Sequence, residues 1–232
     1  MNRGIKFAEG EYYHIYNRGV EKRKVFLNLQ DWKRFQTLLY LCNGTKPFAF
    51  KDLNIKKQKI SRGSTSGEIQ NLFSVDVGEK IVAIGAYVLM PNHFHIIIKE
   101  IKENGITEFM RKLLTAYSMY FNKRHERVGP LFQGTFKAKH LDYDQYLKYQ
   151  FAYIHLNPIK LIEPKWKETG IKNLRRASSY LKEYTFSSYH DYGGITREEI
   201  VILNKDEFPV YFKNQYSFKG FLKDWLNFAD SP

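Results

Sequence analysis

The chain of 232 residues can bury one hydrophobic core of ordinary domain size, with insertions or a short appended piece, but not a second full domain. Hydrophobic residues make up 43% and aromatic residues 16%, which excludes the aromatic-poor composition of a disordered chain. Lys and Arg (37) outnumber Asp and Glu (24), and the net charge of +13 favours an anionic partner such as nucleic acid.

Cysteine content and hydropathy bear on the cellular setting. Cys42 continues the helical spacing of Phe35 and Leu38, so we expect it to be buried as a small hydrophobic residue. A lone cysteine permits neither an internal disulfide nor a cysteine-ligated zinc site. No stretch reaches the roughly 18 apolar residues that span a bilayer. The sequence therefore predicts a soluble, cytoplasmic protein with no membrane partner.

The first predicted elements are a strand, a helix and a polar interval. Residues 12–17 alternate aromatic and smaller side chains before an Arg-Gly pair, which predicts a strand that ends in a turn. Asp31 is predicted to cap a helix that runs to about Leu41. Residues 43–71 are rich in Lys, Ser and Gly, which predicts a solvated surface insertion, with contact to phosphates as a second interpretation.

The second part of the chain carries the strongest β signal. The segments IVAIGAYVLM and HFHIIIK, separated by a Pro-Asn break, predict a hairpin. Apolar residues over 106–121 recur at spacings of three and four, which predicts an amphipathic helix. A short strand over 135–141 follows, and then a helix capped by Asp144 and ended by Pro158. This order predicts an α+β fold with helices packed on one face of a sheet.

Two histidines in the predicted hairpin could bind a metal ion. Residues two apart in a strand project to the same side, so His93 and His95 face together while Phe94 faces the opposite side. Two imidazoles presented in this way can hold one divalent ion. Such a pair also occurs as ordinary half-buried histidines, so the pair alone leaves both interpretations open.

The helix QFAYIHLNP supplies a second set of polar side chains. Tyr153 and Asn157 are four residues apart and therefore share one helical face. An amide oxygen suits a hard cation, and a phenol beside a bound cation can become a nucleophile. The alternative is that Tyr153 packs at the edge of a core and that Asn157 only ends the helix before proline.

These segments belong to a series of motifs that resembles the REP-associated tyrosine transposases, a branch of the single-tyrosine HUH transposases. The motifs are YHIYNRG, VLMPNHFHIII, YFNKRHERVGPLFQGTFKA, YIHLNPIK and FSSYHDYGG, spread over most of residues 12–193. The resemblance implies a ferredoxin-like HUH endonuclease fold with an antiparallel sheet and the histidine pair on a central strand. One departure is Thr135, which stands where a basic residue is common in the family.

The resemblance also implies roles for the candidate site residues. His93 and His95 would be metal ligands for Mg²⁺ or Mn²⁺, with Asn157 in the third-ligand position, and Tyr153 would be the nucleophile. The implied activity is nicking and rejoining of single-stranded, hairpin-containing DNA through a 5′-phosphotyrosine intermediate, by a monomer or a homodimer. Tyr117 and Tyr120 are the rival tyrosines, and the spacing of Tyr117 places it on an apolar helical stripe.

Other functions and the outer parts of the chain are less constrained. A metal-dependent hydrolytic nuclease with a structural Tyr153, or a catalytically silent DNA-binding protein, would use the same features. We expect a catalytic domain over residues 1–185 and a C-terminal extension over 186–232, of which the part after about residue 194 matches no motif that we can assign. The basic residues expected to follow DNA phosphates are Arg18, Lys22, Arg23, Lys123 and Arg124.

Overall fold

A computed structural model describes residues 5–48 and 72–228, so most of the predicted polar insertion lies outside the described residues. The strands are β1 (Tyr12–Arg18), β2 (Val82–Met90), β3 (His93–Glu100) and β4 (Lys137–His140). The α-helices are α1 (Leu29–Leu41), α2 (Gly105–Arg124), α3 (Asp144–Leu156), α4 (Trp166–Thr169), α5 (Leu174–Glu183), α6 (Tyr189–Tyr192) and α7 (Gln215–Phe228). No helix in these ranges is both long and apolar enough to cross a bilayer.

The four strands form one antiparallel sheet in the order β2-β3-β1-β4. Together with α1 between β1 and β2, and α2 between β3 and β4, this is the β-α-β-β-α-β arrangement of ferredoxin-like folds. The predicted α+β class and antiparallel sheet are confirmed. Strand β3, which carries the histidine pair, is central, and His95 lies between Tyr16 of β1 and Val88 of β2.

The prediction that the helices pack on one face of the sheet is wrong for α3. Helices α1 and α2 cover the face that presents Phe94 and Ile96, whereas α3 packs on the opposite face against Ile97. Every residue of β2 is buried, and the uninterrupted apolar run IVAIGAYVLM is the sequence signal of a strand covered on both faces. As a consequence, α3 lies on the same side of the sheet as His93 and His95.

Two helix starts differ from the predictions. The N-cap of α1 is Asn28, and Asp31 occupies the third helical position, where its carboxylate accepts hydrogen bonds from the Leu27 and Asn28 amides in a capping box. Asp144 is the first residue of α3 and not its cap, which is Tyr143. The prediction for Cys42 is confirmed, since its side chain is buried directly after α1.

The chain after residue 185 packs onto the edge of the sheet formed by β2. The Leu89 amide donates to the Phe186 carbonyl, and the Ser188 amide donates to the Tyr87 carbonyl, both over 2.9 Å. Further along, the Phe208 ring lies where a Cβ atom at position 85 would stand, so only glycine permits this contact. The described part of the C-terminal extension therefore contributes to the same core as the sheet.

Candidate active site

Strand β3 and helix α3 bring three of the predicted site residues together. The rings of His93 and His95 are perpendicular with centroids 5.0 Å apart, and the Tyr153 ring centroid lies 5.3 Å from that of His95. All three side chains line one cavity of about 390 Å³. Their convergence follows from the position of α3, because a helix on the other face of the sheet could not present Tyr153 to these histidines.

Hydrogen bonds orient both histidine rings. His93 Nδ1 lies 2.6 Å from Asn92 Oδ1, and His95 Nδ1 lies 2.8 Å from His14 Nε2. Burial lowers the pKa of His93 to about 4 and that of His14 to about 3, so both rings are neutral at neutral pH. Among the described residues, His93 and His95 each use Nδ1 for this hydrogen bond, so the Nε2 atom of each ring remains available to a ligand.

His14 is a site residue that sequence reasoning missed. A neutral His95 that coordinates through Nε2 carries its proton on Nδ1, and His14 Nε2 would then accept that proton's hydrogen bond. The signal was present, since His14 lies in the motif YHIYNRG on a predicted strand. What the sequence lacked was the pairing of β1 with β3.

Asn157 is buried beside Tyr153 and has unsatisfied polar atoms. Its side chain is 0% exposed, and in the described part of the chain neither amide atom has a hydrogen-bond partner. A buried, unpaired polar group of this kind costs about 1–3 kcal/mol unless something binds it. The same described residues contain no group of three or more His, Cys, Asp or Glu side chains that could hold a metal ion. Asn157 does not line the cavity that His93 and His95 line, although two imidazoles and an amide oxygen are donors that a divalent cation accepts.

Two lysines that sequence reasoning did not select lie over the candidate nucleophile. The Lys167 Nζ atom is 4.0 Å from the centroid of the Tyr153 ring, and the Lys160 Nζ atom is 5.4 Å from it. Burial raises the pKa of the Tyr153 hydroxyl, with the neighbouring Asn157 side chain acting in the opposite direction. Burial and the charge of Lys160 lower the pKa of Lys167 to about 8.

The predicted DNA-binding cations divide between two regions. Arg18 and Lys22 line the cavity of the site, as does Lys137, which the sequence did not single out. Arg23 lies outside this lining and forms an ion pair with Glu21 at 2.9 Å. The remaining two predicted residues, Lys123 and Arg124, form the last turn of α2 and do not line the cavity.

The structure also changes which tyrosine competes with Tyr153. Tyr117 lies in the core on the opposite face of the sheet, fully buried, and its hydroxyl donates to the Val25 carbonyl over 2.5 Å. Tyr16, in contrast, lines the same cavity as Tyr153, with its ring centroid 5.8 Å from that of His95. Tyr16 is therefore the tyrosine that an experiment must separate from Tyr153.

Comparison with known proteins agrees with the motifs. Residues 53–157 match the family described as IS200-like transposases. No curated protein matches the chain at a significant level. A solved structure of a REP-associated tyrosine transposase bound to a REP hairpin aligns with 86% of this chain and 90% of its own, at 14% sequence identity and a TM-score of 0.48. Over residues 53–157 the chain is therefore similar to the IS200-like transposases, which confirms the predicted resemblance at this level.

Proposed function

We propose that this protein is a metal-dependent DNA endonuclease and strand transferase that nicks and rejoins single-stranded, hairpin-containing DNA through a covalent bond to Tyr153. The observation that carries the proposal is that Tyr153 shares one cavity with His93 and His95, and that cations line this cavity. The similarity of residues 53–157 to the IS200-like transposases supports the same class of reaction.

The donor atoms that would hold the metal ion are His93 Nε2, His95 Nε2 and the amide oxygen of Asn157. A divalent cation bound there supplies positive charge to the oxygens of a phosphodiester and to the neighbouring phenol. Mg²⁺ prefers oxygen ligands, while Mn²⁺ accepts imidazole more readily, so we expect both ions to support activity and Mn²⁺ to bind more tightly.

Tyr153 would act as the nucleophile. Its hydroxyl oxygen attacks the phosphorus, the P–O bond to the 3′ oxygen breaks, and a 5′-phosphotyrosine and a free 3′-hydroxyl result. The phenol loses one proton and the departing 3′ oxygen takes up one, so the step has no net uptake or release of protons. One phosphodiester replaces another, which allows the 3′-hydroxyl of a different strand to reverse the reaction.

The cations around the cavity would bind and orient the DNA strand. Arg18, Lys22 and Lys137 line the wall that a phosphate backbone would follow. Lys160 and Lys167 lie over the Tyr153 ring, where positive charge favours the phenolate. Burial raises the pKa of Tyr153, so a divalent cation held beside it would supply the charge that favours ionisation of the phenol.

Affinity for single-stranded oligonucleotides should fall steeply as salt rises. If the three cations that line the cavity and the two lysines over Tyr153 each neutralise one phosphate, counterion release predicts a slope of log K against log salt of about −3.5. That slope corresponds to a loss of about 100-fold between about 50 and 200 mM salt. Fluorescence anisotropy of a labelled strand measures it, and an affinity independent of salt would contradict a nucleic-acid substrate.

His14 should act as a positioning residue for His95. His14→Phe keeps an aromatic ring but removes the acceptor for His95 Nδ1, so we expect Mn²⁺ affinity to fall by about 10- to 100-fold. His14→Gln offers an amide oxygen as acceptor and should restore part of the affinity. Mn²⁺ binding is measured by electron paramagnetic resonance on the protein without DNA, and equal affinity in the three proteins would show that His14 only fills space.

A denaturing gel with a labelled hairpin strand tests the proposal as a whole. Label that migrates with the protein after denaturation supports the tyrosine nickase. Cleavage without attachment would instead support a hydrolytic nuclease that uses the same histidines and a structural Tyr153. Binding without cleavage in Mg²⁺ or Mn²⁺ would support a silent DNA-binding protein.

A further inference from the structure

Tyr153 also lines a second cavity, of about 240 Å³, which the His93 and His95 side chains do not line. Its walls come from α3, the α4 region and α7, so it includes the part of the chain that no sequence motif explained. Four aromatic rings and one lysine dominate the lining. The residues that form it are Tyr149, Ala152, Tyr153, Leu156, Trp166, Lys167 and Trp225.

The aromatic side chains of this cavity form a connected group. The Tyr149 ring centroid lies 5.1 Å from that of Trp225 and 6.3 Å from that of Tyr153. Lys167 Nζ lies 5.6 Å from the Trp166 ring centroid as well as 4.0 Å from that of Tyr153. The cavity therefore combines flat apolar surfaces with one positive charge, next to the candidate nucleophile.

Trp166 also carries a buried polar atom without a partner. The Trp166 side chain is 6% exposed, and its Nε1 atom is buried with no hydrogen-bond acceptor among the described residues. A buried indole N–H normally has a partner, because leaving it unpaired costs the desolvation of the group.

These features select the chemical class of the ligand. Drug-sized molecules occupy cavities of about 300–1,000 Å³, so this smaller space suits a single planar ring system. Aromatic rings bind such a ligand by stacking, and Lys167 favours an anionic backbone beside it. An unpaired nucleobase of a DNA strand combines these two properties.

We propose that this second cavity binds one unpaired nucleobase adjacent to the phosphate that Tyr153 attacks. The proposal rests on the proposed function, because it places the reacting phosphate at Tyr153. Tyr153 lines both cavities, so a base held in the second one fixes which phosphate of the strand enters the first. Helix α7, through Trp225, then acts in substrate positioning.

The test combines removal of a base with removal of a ring, in the full-length protein. Each nucleotide around the cleaved bond of a hairpin strand is replaced in turn by an abasic residue. We expect one flanking position at which the wild type loses about 5- to 150-fold in affinity and in kcat/KM for covalent attachment. With the intact strand, Trp225→Ala should lose affinity and kcat/KM by a similar factor. With the strand that is abasic at that one position, the same variant should lose little more.

Matched variants separate this role from a structural one. Trp225→Phe keeps a stacking ring and should restore most of the affinity. Tyr216→Ala alters an exposed aromatic residue of the same helix and should bind and cleave like the wild type. If Trp225→Ala fails to fold by circular dichroism, Trp225→Phe and Lys167→Gln are compared across the same abasic series.

The outcomes distinguish this proposal from the proposed function. If the free-energy loss from Trp225→Ala and the loss from the abasic residue are additive at every position, base binding in this cavity is overturned. This holds even if Tyr153 forms its adduct. A wild type that binds the strand but forms no adduct would overturn the proposed function. The abasic series would then be compared through dissociation constants alone. Non-additive losses from Trp225→Ala and one abasic position would still support base binding in the second cavity. Absence of any strand binding would overturn both.

Discussion

Tyr153→Phe should eliminate the covalent protein–DNA adduct completely while leaving the fold intact. The substitution removes only the hydroxyl oxygen that would become bonded to phosphorus, and the ring keeps its packing against His95 and its contact with Lys167. The hydroxyl interacts with the neighbouring Asn157 side chain, so its removal should change the free energy of unfolding by no more than about 1.5 kcal/mol. Mass spectrometry of the peptide cross-linked to a cleaved hairpin strand provides the measurement.

Two other tyrosines provide the controls. Tyr16→Phe changes the second tyrosine of the same cavity and should retain the adduct. Tyr117→Phe should also retain it, although this variant should be less stable by about 1–3 kcal/mol, because the buried Val25 carbonyl loses its donor. An adduct that maps to Tyr16 or Tyr117 would overturn the assignment and leave Tyr153 with a packing role.

His93→Ala and His95→Ala should each lower the rate of adduct formation by at least about 10²- to 10³-fold, because the charge that stabilises the reacting phosphate is lost. DNA binding should remain largely intact, since Arg18, Lys22 and Lys137 are unchanged. Single-turnover kinetics at fixed Mg²⁺ or Mn²⁺, alongside anisotropy for binding, separate the two quantities. Chelation of divalent ions should silence the wild type, and Mn²⁺ should restore it at lower concentration than Mg²⁺.

The two histidine variants should differ in stability although they share the loss of activity. His95 is buried and hydrogen-bonded to His14, so His95→Ala leaves a cavity and an unpaired ring nitrogen and should cost about 1–3 kcal/mol. His93 is only partly buried, so His93→Ala should cost less. His140→Ala, which removes a histidine paired with Glu11 outside the cavity lining, is the matched control. Wild-type cleavage by His93→Ala in either metal ion would contradict its assignment as a ligand.

The secondary structure was largely predictable because local periodicity determines it. Alternation over 12–17, the two apolar segments around the Pro-Asn break and the spacing of three and four over 106–121 predicted β1, the β2–β3 hairpin and α2. The start of α1 was misplaced because Asn28 and Asp31 are both good capping residues. Sequence alone does not show that one is the cap and the other its partner in a capping box.

The sequence by itself determined which residues within one element share a face. His93 with His95, and Tyr153 with Asn157, follow from the two-residue repeat of a strand and the turn of a helix, and both are local properties of the backbone. The motifs added the resemblance to a family, and the match over residues 53–157 agrees with that resemblance. Metal binding and the nucleophile remain predictions that the experiments above would test.

Only the tertiary structure decided which of these faces meet. The packing of α3 on the histidine side of the sheet brings Tyr153 to His95, and the pairing of β1 with β3 brings His14 to the same ring. Lys167 contacts the Tyr153 ring from the segment after α3, and Trp225 of α7 lines a cavity that Tyr153 also lines. Contacts of this kind depend on how buried apolar faces pack against one another across the whole core, and no periodicity within a single element records that packing.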